Sequence, residues 1–346
     1  MYEILLDMNV LYRAFEKCKQ GVYWKNSVQK YESNILLNLY KLRKSLKDGT
    51  YRQKPFDEFD ICERGKKRHI KALHISDRVL QRALCDEILT PVTTPYLIYD
   101  NGANVKGKGV DFAKKRMREH LRHYYNTHGT NEGHILQMDI SKYFDSIPHD
   151  KAYEILTEHI DDERVKDLVR YIISTFGDGI GIGSQISQII GIYYLHHFDD
   201  YIKTVLGFKY YARYSDDMYV IHSDKAVLQE LLEDIKGKLA DYGLKLNEKK
   251  TQIRRIDRRF SYLKVRYRLT DTGQVLMIPN KDTFKRERRK LKSFKKKLEN
   301  GEMSFEDIKN QYRGWRGTVV PNGEIHYRSY KSVVKMDDLF RDLFLR

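Results

Sequence analysis

The sequence predicts an α+β fold. Apolar residues recur at helical intervals in the first third and near the C-terminus, and short apolar runs of strand character lie between them. The two patterns mix without the regular β-α-β alternation of a parallel sheet. A chain of 346 residues exceeds what one hydrophobic core usually serves, so two or three subdomains are expected.

The first third reads as mostly helical and basic. "VQKYESNILLNLYKLRKSLKD", residues 28 to 48, has helical period and stops at Gly49. In "ERGKKRHIKALHISDRVLQRALCDEIL" a basic turn runs into a second helix, with Ser76 the expected N-cap. Gly102, Gly107 and Gly109 then interrupt the chain before a basic helix that starts near Asp111. Lys106 and Lys108 between these glycines suit either a phosphate cradle or an ordinary exposed turn.

From residue 134 the texture changes. Residues 134 to 140 read as a strand, a helix follows Pro148, and polar, glycine-rich residues 179 to 188 open another helix. Residues 208 to 222 are strand-like on both sides of Asp216 and Asp217, and a helix ending at Gly243 follows. "KLNEKKTQI" and "RRFSYLKVRYRLT" are strand candidates. Beyond Pro279, Phe284, Leu291, Phe294 and Leu298 form one helical stripe in "KDTFKRERRKLKSFKKKL". Ten Lys or Arg against Asp282 and Glu287 cover the rest of that segment, a density that repels itself without a counter-anion.

Charge narrows the function. A formal charge of +16 with a pI near 9.4 calls for a polyanionic partner, nucleic acid first and a membrane surface second. No run of about 18 apolar residues occurs, and the N-terminus "MYEILLDMNVLYRAF" is acidic and too short for a signal peptide, so a soluble, intracellular protein is expected. Cys18, Cys62 and Cys85 have no metal-ligand spacing and read as reduced packing residues. The 26 tyrosines suit base stacking or half-buried packing.

Asp216 and Asp217 are the sharpest signal. Adjacent like charges within a strand pattern are unfavourable. A hairpin tip at Ser215 and Asp216 would accommodate them, and so would a divalent metal; a tip that exposes ligands satisfies both. Two-metal phosphoryl transfer needs a further carboxylate from another element, and Asp139 at the end of an apolar strand offers it. Asp145 is the rival, at a place where a turn aspartate is ordinary. His196-His197 beside Asp199-Asp200 suggest a metal site, but consecutive helical residues point in different directions, which favours plain helix-face residues.

These residues resemble the reverse transcriptase family. "YSDD" at 214 to 217 is similar to its Tyr-x-Asp-Asp box, and "QMDISKYFDSIPHD" to its first catalytic strand and turn. The resemblance implies Asp139, Asp216 and Asp217 as catalytic metal ligands, together with the Ile140 backbone carbonyl and two Mg²⁺ ions. It places Phe144 against the sugar 2′ position, and Lys67 and Arg68 of "RGKKRHI" at the incoming triphosphate. Lys250 falls in "GLKLNEKKT", and "FSYLKVRY" is similar to the primer grip, with Lys264 where the family usually has glycine. "GIGIGSQISQ", with Ile182, Gly183 and Gln188, resembles the Ile-Gly-x-x-x-Ser-Gln pattern of reverse transcriptases from diversity-generating retroelements, where other lineages have Leu-Pro-Gln-Gly. "IYDNGANVKGKG" is similar to their second fingers motif.

The implied architecture is a right-hand polymerase: residues 1–132 as N-terminal region and fingers, 133–275 as an antiparallel palm, 276–346 as a helical thumb. The implied activity is copying a template RNA into DNA from dNTPs, error-prone opposite template adenines, because an apolar Ile182 cannot penalise an unpaired group as a polar residue would. Ile182 packing under the fingers is the alternative. RNA/DNA duplex contacts are expected from Lys106, Lys108, Arg288, Arg289, Lys292, Lys296, Arg313 and Arg316. A small basic accessory variability protein is expected as partner, no membrane is, and the location is the cytoplasm of a bacterial or phage-infected cell. The alternatives are a defence-associated, abortive-infection-like reverse transcriptase and a non-catalytic, maturase-like RNA-binding protein.

Overall fold

The computed structural model describes residues 1–63, 66–320 and 327–345, with backbone only at 63, 66–68 and 327–329. The chain begins with α1 (Met8–Lys19), α2 (Asn26–Glu32) and α3 (Ile35–Lys47), followed by the antiparallel pair β1 (Asp57–Glu63) and β2 (Lys66–Ala72). Next come α4 (Ile75–Leu84), α5 (Thr90–Thr93), α6 (Val110–His128), β3 (His134–Asp139), α7 (Tyr143–Ser146), α8 (His149–Thr157) and α9 (Glu163–Ser174). Then follow α10 (Gln185–Tyr193), α11 (His196–Asp200), β4 (Tyr211–Tyr214), β5 (Asp217–His222), α12 (Lys225–Asp241) and β6 (Gln252–Arg255). The chain continues with β7 (Phe260–Tyr262), β8 (Val265–Leu269), β9 (Val275–Pro279), α13 (Lys281–Glu299), α14 (Phe305–Val319) and α15 (Tyr327–Phe344). Helices and sheets of the order β1-β2, β4-β5-β3-β6 and β7-β8-β9 make this an α+β fold, as expected.

Several local expectations need correction. The helix read across 28 to 48 is two helices, α2 and α3, with a break at Ser33 and Asn34. The first third is less helical than its pattern suggested, because β1 and β2 form a hairpin there. His74, not Ser76, caps α4: its ring nitrogen accepts the Ser76 amide at 3.2 Å. Cys18 and Cys85 are buried packing residues, but Cys62 is exposed on β1.

The chain divides into two compact units. The first comprises residues 1–107, 138–218 and 230–251. Its apolar centre includes Leu11 and Phe15 of α1, Val79 and Leu80 of α4, and Val169 and Ile172 of α9. The second comprises residues 108–137, 219–229 and 252–346. There α6 is buried through Met117, Leu121 and Tyr124. The turn between β7 and β8 puts Leu263 and Lys264 at φ of 43° and 66°. That left-handed backbone explains why a glycine serves at the second position elsewhere, and Lys264 adopts it without one.

The C-terminal helices enclose a core of Leu291, Phe294, Ile308, Tyr312, Met336 and Phe340, against which Phe284, Leu298 and Trp315 pack. The apolar stripe of α13 thus faces inward as its spacing predicted. Glu287 is the exception: it is buried, and its Oε1 finds no hydrogen-bond partner among the described residues. Burial pushes its carboxyl above the usual value, against a smaller opposing effect of Lys290. A carboxyl raised in the folded state costs stability once it ionises, and the cost disappears as pH falls below the usual carboxylate range. Glu287→Met is therefore expected to raise the melting temperature at pH 8 and to do so progressively less toward pH 4. A gain equal at both pH values would show that the charge is not the cause.

Candidate active site

The carboxylates converge where three chain segments meet. β3 delivers Asp139, 5 % exposed, at its C-terminal end. β4 and β5 are joined through Ser215, whose φ of 57° makes the tight turn that places Asp216 at the tip and Asp217 at the start of β5. Both are half-buried. The Ile140 amide donates to the Asp216 carbonyl at 3.2 Å, so the residue after Asp139 lies directly beside the turn. Asp139, Asp216 and Asp217 are thereby brought together, and Asp145 is instead an exposed residue of α7.

The third segment follows α12. The Ser141 amide donates to the Lys245 carbonyl at 2.8 Å and the Asn247 amide to the Asp139 carbonyl at 2.7 Å. This pairing carries Lys250 to the site, where its Nζ donates to both carboxylate oxygens of Asp139 at 2.7 and 2.5 Å. Partial burial pulls the Lys250 ammonium down, but the bond to Asp139 and the charges of Asp139, Asp217 and Asp216 outweigh it and hold its pKa above the usual lysine value. A carboxylate that engages a cation through both oxygens, beside two more carboxylates, has the donor chemistry of a divalent metal site.

The glycine segment packs on the turn after Asp139. The Ile180 amide donates to the Phe144 carbonyl at 2.9 Å. A Cβ on Gly179, whose φ is +64°, would lie 2.5 Å from that carbonyl oxygen, so close backbone approach requires glycine there. At Gly183, φ +127°, a Cβ would lie 2.9 Å from the Lys71 carbonyl oxygen, while the Lys71 amide donates to the Ile182 carbonyl at 3.3 Å. The segment therefore spans from β2 to the Phe144 turn. Ser184 caps α10 by accepting the Ser187 amide at 3.1 Å, and the Ser187 hydroxyl donates to the Ile180 carbonyl. Ser187 thus holds the turn together. Ile182 is half-buried and Gln188 exposed; Gln188 lines a cavity of about 230 Å³ with Lys17, Arg78 and Arg82. The half-buried Phe144 ring lies over Gly191 of α10, where a Cβ would come within 2.9 Å of it.

Sequence reasoning missed the support beneath the aspartate turn. Arg213 of β4 and Asp199 of α11 are both fully buried. Arg213 Nε donates to the two Asp199 oxygens at 2.7 and 2.9 Å, and its Nη2 donates to Asp199 at 2.6 Å and to the Ile192 carbonyl at 2.6 Å. Its Nη1 reaches the Ser215 carbonyl at 3.3 Å, next to Asp216. Tyr211 donates to Asp199 at 2.6 Å. An arginine in the apolar run "YYARY" was the available signal, since a buried guanidinium demands a carboxylate. The segment 100–102 lies on the other side of β4: the Arg213 amide donates to the Asp100 carbonyl at 3.2 Å and the Gly102 amide to the Arg213 carbonyl at 3.0 Å. The Gly102 amide is therefore committed to β4 and unavailable to a phosphate.

The remaining expected residues lie as follows. Lys67 and Arg68 are on β2, with side chains outside the described residues. Lys106 is exposed, and Lys108 Nζ sits 5.0 Å from the centre of the Phe112 ring. Arg288, Arg289, Lys292 and Lys296 are exposed on α13, and Arg313 is exposed on α14. Arg316 bonds Asp337 at 3.1 Å. His196 and His197 both approach Glu158, and Asp199 and Asp200 take no part in that cluster. Burial, then the neighbouring His197, pulls the His196 ring below the usual histidine value.

A family model for reverse transcriptase (RNA-dependent DNA polymerase) matches residues 52–267, which contain all three aspartates. The chain belongs to the reverse transcriptase family. Reverse transcriptases are RNA-directed DNA polymerases of the nucleotidyltransferase class, and they generally use divalent metal ions. The fold of this reverse transcriptase is similar to telomerase from Candida albicans in complex with a fragment of telomeric RNA, with TM-score 0.51 and 14 % identity, over 85 % of this chain and 59 % of that one. It is also similar to apo telomerase from Candida tropicalis truncated from its C-terminal domain, with TM-score 0.49 and 14 % identity, over 70 % and 60 % of the two chains. At such identity the likeness to the first concerns the polymerase fold alone, and the chain spans about three fifths of the length of both. No curated protein matches the sequence. Among the described residues no helix is long and apolar enough to cross a membrane.

Proposed function

We propose that this reverse transcriptase copies a template RNA into cDNA and that it serves a diversity-generating retroelement, with errors concentrated opposite template adenines. The observation that carries the catalytic reading is the Ile140 to Asp216 hydrogen bond, which sets the end of β3 against the aspartate turn. In this reading Asp139, Asp216, Asp217 and the Ile140 carbonyl would hold two Mg²⁺, which would supply Lewis-acid activation of a primer 3′-hydroxyl and neutralise the charge on the leaving pyrophosphate. Lys250 gives up its contact with Asp139 and turns its ammonium toward the phosphates. Phe144, backed by Gly191, restricts the sugar pocket. Residues 1–132 act as fingers, 133–275 as palm and 276–346 as thumb. Lys67, Arg68, Gly183 and Gln188 surround the incoming dNTP, and the exposed cations of α13 follow the RNA/DNA backbone with help from Lys106, Lys108, Arg313 and Arg316. A small basic accessory protein supplies further template contacts in the cell.

The mutagenic reading rests on Ile182. It is half-buried and its carbonyl is tied to β2, and in this reading its apolar side chain meets the nascent base pair. Such a surface discriminates by shape and does not penalise a missing hydrogen bond. The test is Mg²⁺-dependent extension of a primed RNA template followed by product sequencing, for the parent chain and for Ile182→Gln. Errors concentrated opposite adenine, reduced in Ile182→Gln, are expected. Accurate synthesis by the parent chain would remove the retroelement reading and keep the polymerase; an error rate unchanged by Ile182→Gln would remove Ile182 from it.

A further inference from the structure

Apart from the proposed catalytic aspartates, one cluster among the described residues has the chemistry of a metal site. Glu158 directly follows α8, and His196 and His197 open α11. Helical geometry alone sends adjacent side chains in different directions, yet here the two imidazole rings lie 3.8 Å apart between centres and both turn toward one carboxylate. His197 Nε2 bonds Glu158 Oε2 at 2.9 Å. His196 Nε2 lies 2.9 Å from Glu158 Oε1, and one ligand atom from each of the three residues falls within 4.8 Å of the others.

His196 is the decisive residue. It is 3 % exposed and stacked flat on Tyr193, with ring centres 4.0 Å apart. Its Nδ1 lies 2.9 Å from the Tyr193 carbonyl oxygen, which can only accept, so Nδ1 carries the proton. In the neutral ring Nε2 is then a bare lone pair. That nitrogen is buried and makes no hydrogen bond among the described residues, although a carboxylate oxygen stands beside it. A buried lone pair beside an anionic oxygen, with no hydrogen bond between them, is an unfavourable arrangement that a cation bound to both would relieve.

We propose that Glu158, His196 and His197 bind one Zn²⁺, with a water molecule as the fourth ligand. Two imidazole nitrogens and a carboxylate suit Zn²⁺ and are a poor set for Mg²⁺, which prefers oxygen. Bonds of about 2.0 Å in a tetrahedron put ligand atoms about 3.3 Å apart, so the 2.9 Å between His196 Nε2 and Glu158 Oε1 needs to open only slightly, and one ligand atom from each residue already lies within 4.8 Å of the others. The surrounding contacts are those that orient metal ligands: the Tyr193 carbonyl fixes the His196 tautomer, and the Tyr193 hydroxyl donates to Glu158 Oε1 at 2.5 Å. Glu158 and His197 also line a cavity of about 420 Å³, which leaves room for the water. The ion would fasten the end of α8 to the start of α11, the helix whose Asp199 holds Arg213 beneath the aspartate turn. This site is separate from the catalytic aspartates and does not depend on the retroelement reading.

The test is titration of the full-length, chelator-treated protein with Zn²⁺ in competition with a chromogenic chelator, together with Co²⁺ absorption and thermal melting. Expected results are one tightly bound Zn²⁺ per chain, intense visible Co²⁺ bands of a four-coordinate site, and a melting temperature raised by Zn²⁺. His197→Asn is expected to weaken Zn²⁺ binding by about tenfold or more and to abolish the Co²⁺ bands. Because His197 is exposed, this substitution leaves the core intact. Asp216→Ala/Asp217→Ala is expected to leave both signals unchanged, which separates the site from the catalytic carboxylates. Absence of stoichiometric Zn²⁺ binding, or binding that His197→Asn leaves intact, would overturn the proposal and leave the cluster a hydrogen-bonded helix contact.

Discussion

Replacing both Asp216 and Asp217 by alanine is expected to reduce Mg²⁺-dependent extension on an RNA template by about a thousandfold or more, with no loss of folding stability. Metal ions stabilise transition-state charge in phosphoryl transfer by several kcal/mol, and about 4 kcal/mol corresponds to that factor. Stability should hold because the two side chains are half-buried acids at the tip of a turn, adjacent in sequence and close to Asp139. Removing one source of repulsion within the carboxylate cluster offsets the lost attraction to Lys250, which keeps its bond to Asp139, even as it removes the chemistry. Single-nucleotide extension with rapid quenching, alongside equilibrium denaturation, checks both halves. Activity within tenfold of the parent would sink the catalytic assignment. A collapse in stability would mean instead that these carboxylates are structural.

Arg213→Leu is expected to cost about 3–5 kcal/mol of stability, the range for breaking a buried ion pair and leaving one charge unpaired. Asp199 would then keep only its bond from Tyr211 in a site with no solvent access. The Asp199→Leu/Arg213→Leu double variant should recover much of that loss, because no uncompensated charge remains. Activity should not return with stability in the double variant, since the Arg213 contact to the Ser215 carbonyl that steadies the turn is absent in both. Denaturant midpoints give the first comparison and extension rates on the folded variants the second. Equal activity in the double variant and the parent would reduce Arg213 to a purely packing role.

The residues of the proposed site stood out in the sequence because their signals are local. An Asp pair in a strand, an aspartate closing an apolar strand and a glycine-rich segment before a helix each stand out locally, and the fold brings the three segments together. What stayed hidden was partnership across the chain. Asp199 read as one of two acids on a helix, yet it neutralises Arg213; Asp200, next to it, bonds only Thr204 among the contacts seen. The glycines around Lys106 and Lys108 read as either a phosphate cradle or an exposed turn, and nothing in the sequence showed that the Gly102 amide is bound to β4. The break between α2 and α3 escaped notice because the apolar period continues across it.

By itself the sequence determined the materials of the proposed site: three carboxylates, a basic composition and an α+β chain, because burial and charge leave adjacent acids few places to stand. Only the tertiary structure decided which groups meet. Glu158 with His196 and His197, and Lys250 with Asp139, are contacts whose geometry depends on how helices and strands dock. Docking is set by the sum of many weak packing contacts, so no residue pattern along the chain announces it.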